Sequence, residues 1–154
     1  MRRKRKWLLF LITAFILIQF IQPARNKNGQ VLQSDITAKF TVPANVRSVL
    51  EVACYDCHSN NTRYPWYANI QPGGWWLAKH IKDGKEELNF SDFGSYSRRR
   101  QINKLRSIAN SISDGSMPLS SYTLLHKNAR LTKDQKTLII EWAGKLKDSL
   151  TGTN

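Results

Sequence analysis

Two cysteines and a histidine stand together in the stretch CYDCH at residues 54–58, and the 154-residue chain has no other cysteine. Two residues separate Cys54 from Cys57, and His58 follows directly. Closely spaced cysteines can form a disulfide, ligate zinc, act as a redox dithiol or attach a haem covalently. The rest of the chain decides among these four chemistries.

Three of the four chemistries fit the sequence poorly. A disulfide across two intervening residues closes a very short loop and therefore restrains little of the unfolded chain. A structural zinc site needs four ligands, and His80 and His126 would have to complete it without a second closely spaced pair. A thioredoxin-like dithiol requires a strand–helix–strand context, whereas the residues around Cys54 have helical periodicity.

Covalent haem attachment uses every residue of the motif. Two thiols add across the two vinyl groups of one porphyrin, and the histidine that follows is placed to bind the iron. The C-x-x-C-H pattern is typical of c-type haem for these reasons. We therefore predict one covalent haem c that is attached to Cys54 and Cys57 and ligated by His58.

The second axial position of the iron has three candidate ligands. Met117 is the only methionine besides the initiator, and it precedes Pro118 in a loop after a predicted helix. His/Met ligation is the cytochrome c pattern, so we predict Met117 as the second ligand. His126 lies in the same loop system and imidazole binds iron strongly, while His80 is predicted on a helix surface; both stay open as alternatives.

Aromatic residues are concentrated after the motif, where they could line a large flat group. Five lie within thirteen residues: Tyr64, Trp66, Tyr67, Trp75 and Trp76. A metal-bound histidine normally donates its other N–H to an oxygen, and we expect the Pro65 carbonyl or a neighbour to accept it from His58. Arg63, Tyr64 and Trp66 are candidates for binding a haem propionate.

Four helices are predicted to position these residues, and strand patterns are weak. Apolar residues recur at helical spacing from Val46 to Ala53, directly before the motif. A second helix is predicted from about Trp75 to Asp83, ending near Gly84. The third lies in SRRRQINKLRSIANSISDG and ends at Gly115, and the fourth lies in LTKDQKTLIIEWAGKLKDSL with Thr132 as its N-cap.

The N-terminus has the pattern of an export signal. Residues 2–6 are all basic, and an apolar run from Trp7 to Ile21 follows. The basic end is expected to stay in the cytoplasm. Ala24 offers a cleavage position, but Gln22 stands two residues before it, where a small residue is required. We predict that residues 1–24 form a signal peptide or, in preference, an uncleaved membrane anchor.

The chain after residue 24 divides into a polar linker at residues 25–42 and a haem-binding domain at residues 43–150. The whole chain has a net charge of +13, and the part after residue 6 keeps 19 basic and 11 acidic residues, a net +8, which suits an acidic redox partner protein or anionic lipid. No nucleic-acid motif accompanies the basic run Arg98–Arg100, so we expect no nucleic-acid partner, and no small-molecule substrate is indicated. We expect the domain on the extracytoplasmic side of the cell envelope, anchored in the membrane or periplasmic.

Several stretches extend the pattern beyond the motif itself: CYDCHSNNTRYPWYANIQP, GKEELNFSDF, SMPLSSYTLLHKNARLT and the closing EWA. Together they resemble the small bacterial haem-binding domain family that is built around one C-x-x-C-H, over about residues 40–147. The resemblance implies a covalent c-type haem on Cys54 and Cys57, with His58 as an axial ligand. It also supports Met117, because the family pattern has a Met-Pro pair at this position.

The resemblance also implies the fold. The family is similar to class I cytochromes c, which implies an all-α, cytochrome c-like domain around one haem, preceded by the N-terminal helix. The first helix of the domain should then pack on the last. The apolar residues expected at that contact are Val46, Val49 and Leu50 on one side and Leu138, Ile139 and Trp142 on the other.

One-electron transfer is the function that these features favour. An electron carrier needs a buried haem, two filled axial positions and a docking surface, and it turns over no substrate. The alternative is a haem enzyme of peroxidase type or a sensor of diatomic gases, which needs an open iron position and a distal residue such as His126. A haem-bearing structural or assembly module is a third interpretation. We expect a carrier rather than an enzyme.

Overall fold

The computed structural model describes residues 2–152, and its regular structure is helical. Over these residues eight α-helices follow one another: α1 (Arg2–Ile18), α2 (Ile36–Lys39), α3 (Ala44–Ala53), α4 (Tyr55–His58), α5 (Gly73–Glu87), α6 (Arg98–Ser113), α7 (Ser120–Leu125) and α8 (Lys133–Gly152). Short 3-10 helices lie at Trp66–Asn69, Phe90–Ser95 and Lys127–Ala129. In the described part of the chain the β-structure is one isolated bridge between Lys27 and Asn61. The predicted all-α class is confirmed.

The main apolar core forms where α3, α6 and α8 meet. α6 and α8 pack along each other, and α3 also contacts α8. Val46 and Leu50 of α3, Leu105 of α6, and Ile139 and Trp142 of α8 are buried in one cluster. Each such side chain contributes about 1.5–3 kcal/mol through removal of its apolar surface from water. The contact predicted between the first and last helices of the domain is therefore present.

The ends of α6 and α8 follow from local chemistry that the sequence displays. The Ser97 side chain accepts a hydrogen bond from the Arg100 N–H at the start of α6. Gly115 follows the end of α6 with φ +78°, a conformation that glycine adopts without strain. At the start of α8, Thr132 Oγ1 accepts from the Gln135 N–H, and Gln135 Oε1 accepts from the Thr132 N–H. These reciprocal bonds form a capping box.

α5 is longer than predicted, because Gly84 lies inside the helix and does not end it. A Cβ atom at Gly84 would lie 2.9 Å from the Cys57 carbonyl oxygen. The glycine therefore lets α5 approach the backbone of the cysteine motif closely. A glycine inside a helix makes the helix less stable than an alanine would, by about 1 kcal/mol, and α5 carries this cost together with the close packing.

The segment 25–42, predicted as a linker, packs against the domain. Ile36 is fully buried in the main core. The Asn26 N–H donates to Tyr64 Oη at 2.7 Å, and Asn26 Nδ2 donates to the Ser59 carbonyl at 2.8 Å. The segment thus belongs to the packed structure, because its few apolar and amide side chains find partners on the domain.

α1 carries the apolar run of the predicted export signal. Its large apolar side chains between Trp7 and Leu17 are exposed. Beyond its C-terminal end, Gln19 exchanges hydrogen bonds with the backbone of Gln71. Within residues 2–152, no helix combines the length and the apolar character that crossing a membrane requires.

Candidate functional site

A cavity of about 440 Å³ opens beside the C-x-x-C-H motif. Its wall is mainly apolar, and it includes Cys54, Cys57, His58 and Met117. The other residues of the wall are Ala53, Asp56, His80, Asp83, Gly84, Glu87, Leu88, Phe90, Lys104, Ser107, Ile108, Ser111, Ile112, Pro118, Leu119 and Tyr122. Both the volume and the mainly apolar wall suit an organic ligand.

The turn between α3 and α4 places the motif at the cavity wall. α3 ends at Ala53, and Cys54 connects it to the single turn of α4. The N–H groups of Cys57 and His58 both donate to the Cys54 carbonyl, at 3.2 and 3.0 Å. This tight turn brings the two cysteines and the histidine onto one side of the fold.

The surroundings of the two thiols suppress their ionisation. Burial raises the pKa of Cys54 to about 12 and that of Cys57 to about 11. A redox dithiol reacts through a thiolate, which these pKa values disfavour at neutral pH. A thioether is uncharged, so it can occupy the same partly buried positions without this penalty. The surroundings of Cys54 and Cys57 therefore disfavour thiolate chemistry.

His58 is held as the tautomer that a metal ligand needs. Its Nδ1 lies 2.8 Å from the Gly84 carbonyl oxygen and 3.0 Å from the Leu88 carbonyl oxygen. Since carbonyls only accept hydrogen bonds, Nδ1 must carry the proton, which leaves the Nε2 lone pair free to bind a metal. Burial also lowers the pKa of His58, which favours the neutral ring.

The acceptors of the His58 proton differ from the predicted one. Sequence reasoning placed the acceptor at Pro65 or a neighbour, but both carbonyls lie at the C-terminal end of α5. The reason is the close approach of α5 to Cys57 at Gly84. In the sequence, the only sign of this contact is a glycine in a stretch that otherwise favours a helix.

Asp56, between the two cysteines, connects the motif to α7. Its side chain is 12% exposed and accepts a hydrogen bond from the Tyr122 hydroxyl at 2.7 Å. The Arg63 N–H donates to the other carboxylate oxygen at 3.1 Å. Burial and the Asp56 carboxylate raise the pKa of Tyr122, so that its hydroxyl stays a donor. Sequence reasoning missed this pair, because 66 residues separate its members.

The three candidates for a second iron ligand occupy different places. Met117 is partly buried on the cavity wall. His80 is also on the wall, but it belongs to α5, the helix that accepts hydrogen bonds from His58. His126 is not part of the wall: its Nε2 lies 2.9 Å from the Tyr67 hydroxyl, and its ring stacks on Tyr122 at 4.2 Å.

The described residues do not assemble a structural zinc site. Over residues 2–152, no three His, Cys, Asp or Glu side chains come close enough to hold a metal ion. Cys54 and Cys57 are free thiols rather than a disulfide.

The comparison with protein families identifies the ligand class. Residues 13–145 match the family described as haem-binding domain. The chain belongs to the haem-binding domain family. The match includes every residue of the cavity wall. No curated protein and no solved structure matches the chain.

The cavity of this haem-binding domain fits the group that the family binds. It presents an imidazole with a free Nε2, two thiols and apolar side chains, which are the partners that the iron, the vinyl groups and the ring of a haem require. Lys104 also lies on the wall, with its Nζ 3.4 Å from Glu87 Oε2. Sequence reasoning did not select Lys104, because nothing distinguishes it from the other basic residues of α6.

The aromatic residues after the motif do not line the haem cavity, contrary to expectation. Tyr64 and Tyr67 pack around a second small cluster of Ala68, Leu77 and Ile81, and Trp66 is 76% exposed. Two of the three residues proposed for a propionate are engaged elsewhere. Arg63 bonds to the Asp56 carboxylate and the Glu51 carbonyl, and Tyr64 accepts from Asn26.

Proposed function

We propose that this haem-binding domain is a c-type cytochrome that carries single electrons. One haem would be bound covalently to Cys54 and Cys57, with His58 and Met117 as axial ligands. The observation that carries the proposal is the His58 ring, whose Nδ1 proton is committed to two backbone carbonyls on the wall that also holds both thiols.

A bound haem would supply an iron that changes between the ferric and ferrous states. The chain would hold this group in place and set its reduction potential. His58 keeps one orientation because two carbonyls of α5 fix its Nδ1 proton. The apolar wall excludes water, and burial of the redox group is one of the factors that set its potential.

Met117 is the second ligand that best fits an electron carrier. It reaches the cavity from the loop between α6 and α7, whereas His58 belongs to α4 and is supported by α5. A thioether ligand raises the reduction potential relative to a second imidazole. The Tyr122–Asp56 hydrogen bond ties α7 to the motif, and this restrains the loop that carries Met117.

Lys104 is our candidate partner for a haem propionate. Its side chain is 22% exposed and lies at the cavity wall beside Glu87. An ammonium group at this position compensates part of the charge of a buried carboxylate.

We further propose that the domain works outside the cytoplasm and stays attached to the membrane through its N-terminal segment. The basic residues before the apolar run of α1 support this orientation. The partners would be redox proteins, and the net charge of +8 on the chain after residue 6 (19 basic and 11 acidic residues) favours acidic ones.

The proposal is tested by asking whether the haem stays on the polypeptide. Protein made in cells with a haem-attachment system should keep its haem through acid–acetone extraction, and its mass should exceed that of the chain by one haem. Cys54→Ala/Cys57→Ala should release the haem into the organic layer. Complete extraction from the unaltered protein would contradict covalent attachment.

A further inference from the structure

Three exposed apolar side chains lie on one structural unit, formed by the 3-10 helix after the motif and the start of α5. Trp66 is 76% exposed, and Ile70 and Trp76 are each 44% exposed. We call these three residues the aromatic patch. Because sequence reasoning assigned this stretch to the haem and the structure places it outside the haem cavity, its exposure needs another explanation.

The stretch that carries the aromatic patch is hydrogen-bonded to the end of the apolar N-terminal run through neighbours of the patch residues. Gln71, which is fully buried, donates from its backbone N–H to Gln19 at 2.8 Å and from Nε2 to Gln22 at 2.9 Å. The Trp75 ring N–H donates to the Ile21 carbonyl at 2.8 Å. These bonds hold the residues that follow α1 against Gln71 and Trp75. Both residues lie within the stretch that carries the patch.

The chemistry of α1 indicates what the patch meets. Its apolar side chains are exposed along its length, including Trp7, Phe10 and Leu17. The part of α1 that follows its five basic residues is apolar on all sides, and such a segment requires an apolar environment, which lipid provides. Trp side chains are favoured at the boundary between lipid and water, because the ring is apolar and its N–H is a donor.

The charges around the patch suit anionic lipid. Arg25 is exposed, bonds to the Asn69 side chain, and lies over the Tyr64 ring at 4.3 Å. Lys27 is also exposed near this segment. Basic residues close to an anionic membrane surface are attracted to it electrostatically.

We infer that the aromatic patch is a lipid-facing surface, which rests the domain on the headgroups of an anionic membrane beside α1. The inference rests on the membrane attachment proposed above, but not on the proposed haem chemistry. It has a consequence for orientation, because the Trp76 ring contacts His80 at 4.2 Å and His80 lies on the cavity wall. A membrane-bound patch would hold the cavity close to the membrane surface.

The test uses the full-length holoprotein in vesicles of phosphatidylcholine and phosphatidylglycerol that contain a phospholipid with a photoactivatable headgroup. After illumination, trypsin and mass spectrometry locate the lipid adducts. One tryptic peptide, residues 64–79, holds the whole patch. The peptide of residues 107–127 serves as internal control, since it carries Leu124 and Leu125, which are 66% and 61% exposed on α7.

We expect adducts in residues 64–79 and few in residues 107–127. Trp66→Ser/Trp76→Ser should lose the adducts in 64–79 while keeping the visible spectrum, which reports that the haem domain is folded. Leu124→Ser/Leu125→Ser should leave the adduct pattern unchanged. Adducts confined to the α1 peptides, or equal labelling of both domain peptides, would overturn the inference. Cross-linking of the patch to a protein in native membranes, without lipid adducts, would also overturn it and indicate a protein partner.

Discussion

At the scale of single residues, the motif is held from two sides. His58 donates to carbonyls at the end of α5, and Asp56 accepts from Tyr122 of α7. The first contact sets the ring tautomer, and the second connects the motif to the element that follows Met117. A change in either contact would therefore alter the environment of a ligand enclosed by these residues.

The choice of the second iron ligand can be decided by substitution. Met117→Ala should abolish the weak near-red absorption band that a thioether gives to ferric haem, lower the reduction potential and allow rapid carbon monoxide binding. His126→Ala should change none of these, because His126 is bonded to Tyr67 and lies off the cavity wall. His80→Ala is a second control.

The measurements are visible spectra, redox titration and carbon monoxide mixing kinetics. A spectral change in His126→Ala but not in Met117→Ala would show that the ligand assignment is wrong. Fast carbon monoxide binding by the unaltered protein would favour a haem enzyme or a gas sensor, since both functions need an open iron position.

The Tyr122–Asp56 contact should contribute measurably to stability. Tyr122→Phe removes a donor from a buried carboxylate, and hydrogen bonds to charged groups contribute about 1.5–3 kcal/mol. We expect a loss of that size in the free energy of unfolding from denaturant titration of the holoprotein. Tyr55→Phe is the matched control, because the Tyr55 hydroxyl is buried without a hydrogen-bond partner among the described residues. An equal loss in both variants would contradict a specific role for the pair.

At the scale of elements, α5 is the support of the site. Its first turns contact the end of the N-terminal segment, and its last turns bind His58 through carbonyl groups. Gly84 allows this arrangement, since a side chain there would meet the Cys57 backbone. α5 is thus one rigid element that contacts the residues after α1 at its start and supports the cavity wall at its end.

Gly84→Ala tests this role of α5. The added Cβ would lie 2.9 Å from the Cys57 oxygen, so the helix must shift and the His58 hydrogen bonds must lengthen. Overpacking of this kind costs about 1–3 kcal/mol, more than the gain in helix propensity. We expect lower thermal stability and a changed reduction potential.

The matched control for α5 is Gly144→Ala in α8, where a Cβ meets nothing within 4 Å. This change should raise stability by about 0.5–1 kcal/mol and leave the potential unaltered. If Gly84→Ala behaves in the same way, the close approach of α5 is not important to the site.

The sequence predicts the elements better than their contacts. α3, α6 and α8 were predictable because apolar spacing and caps such as Thr132 are local signals. The end of α5 was misplaced because a tertiary contact, and not helix propensity, explains Gly84. Likewise, Cys54, Cys57 and His58 form a motif that can be read directly, whereas the partner of Asp56 depends on how distant segments fold together.

At the scale of the whole molecule, the N-terminal segment is attached to the domain by specific bonds. Gln71 is fully buried, and its backbone and side-chain N–H groups donate to Gln19 and Gln22. Cleavage after Ala24 would remove these acceptors and the Ile21 carbonyl that binds Trp75. Cleavage would replace these bonds by bonds to water and lose the net contribution of each, about 0.5–1.5 kcal/mol, so they favour retention of the segment.

We therefore expect the mature protein to keep residues 1–24. Intact-mass measurement of protein isolated from membranes should give the mass of the full chain plus one haem. Gln22→Ala is the informative variant, because it places a small residue two positions before Ala24 and so creates a better cleavage site. This variant should release a fraction of soluble protein that begins near Arg25. If the unaltered protein already begins near Arg25 and is soluble, the segment is a signal peptide, and the bonds from Gln71 do not persist in the mature molecule.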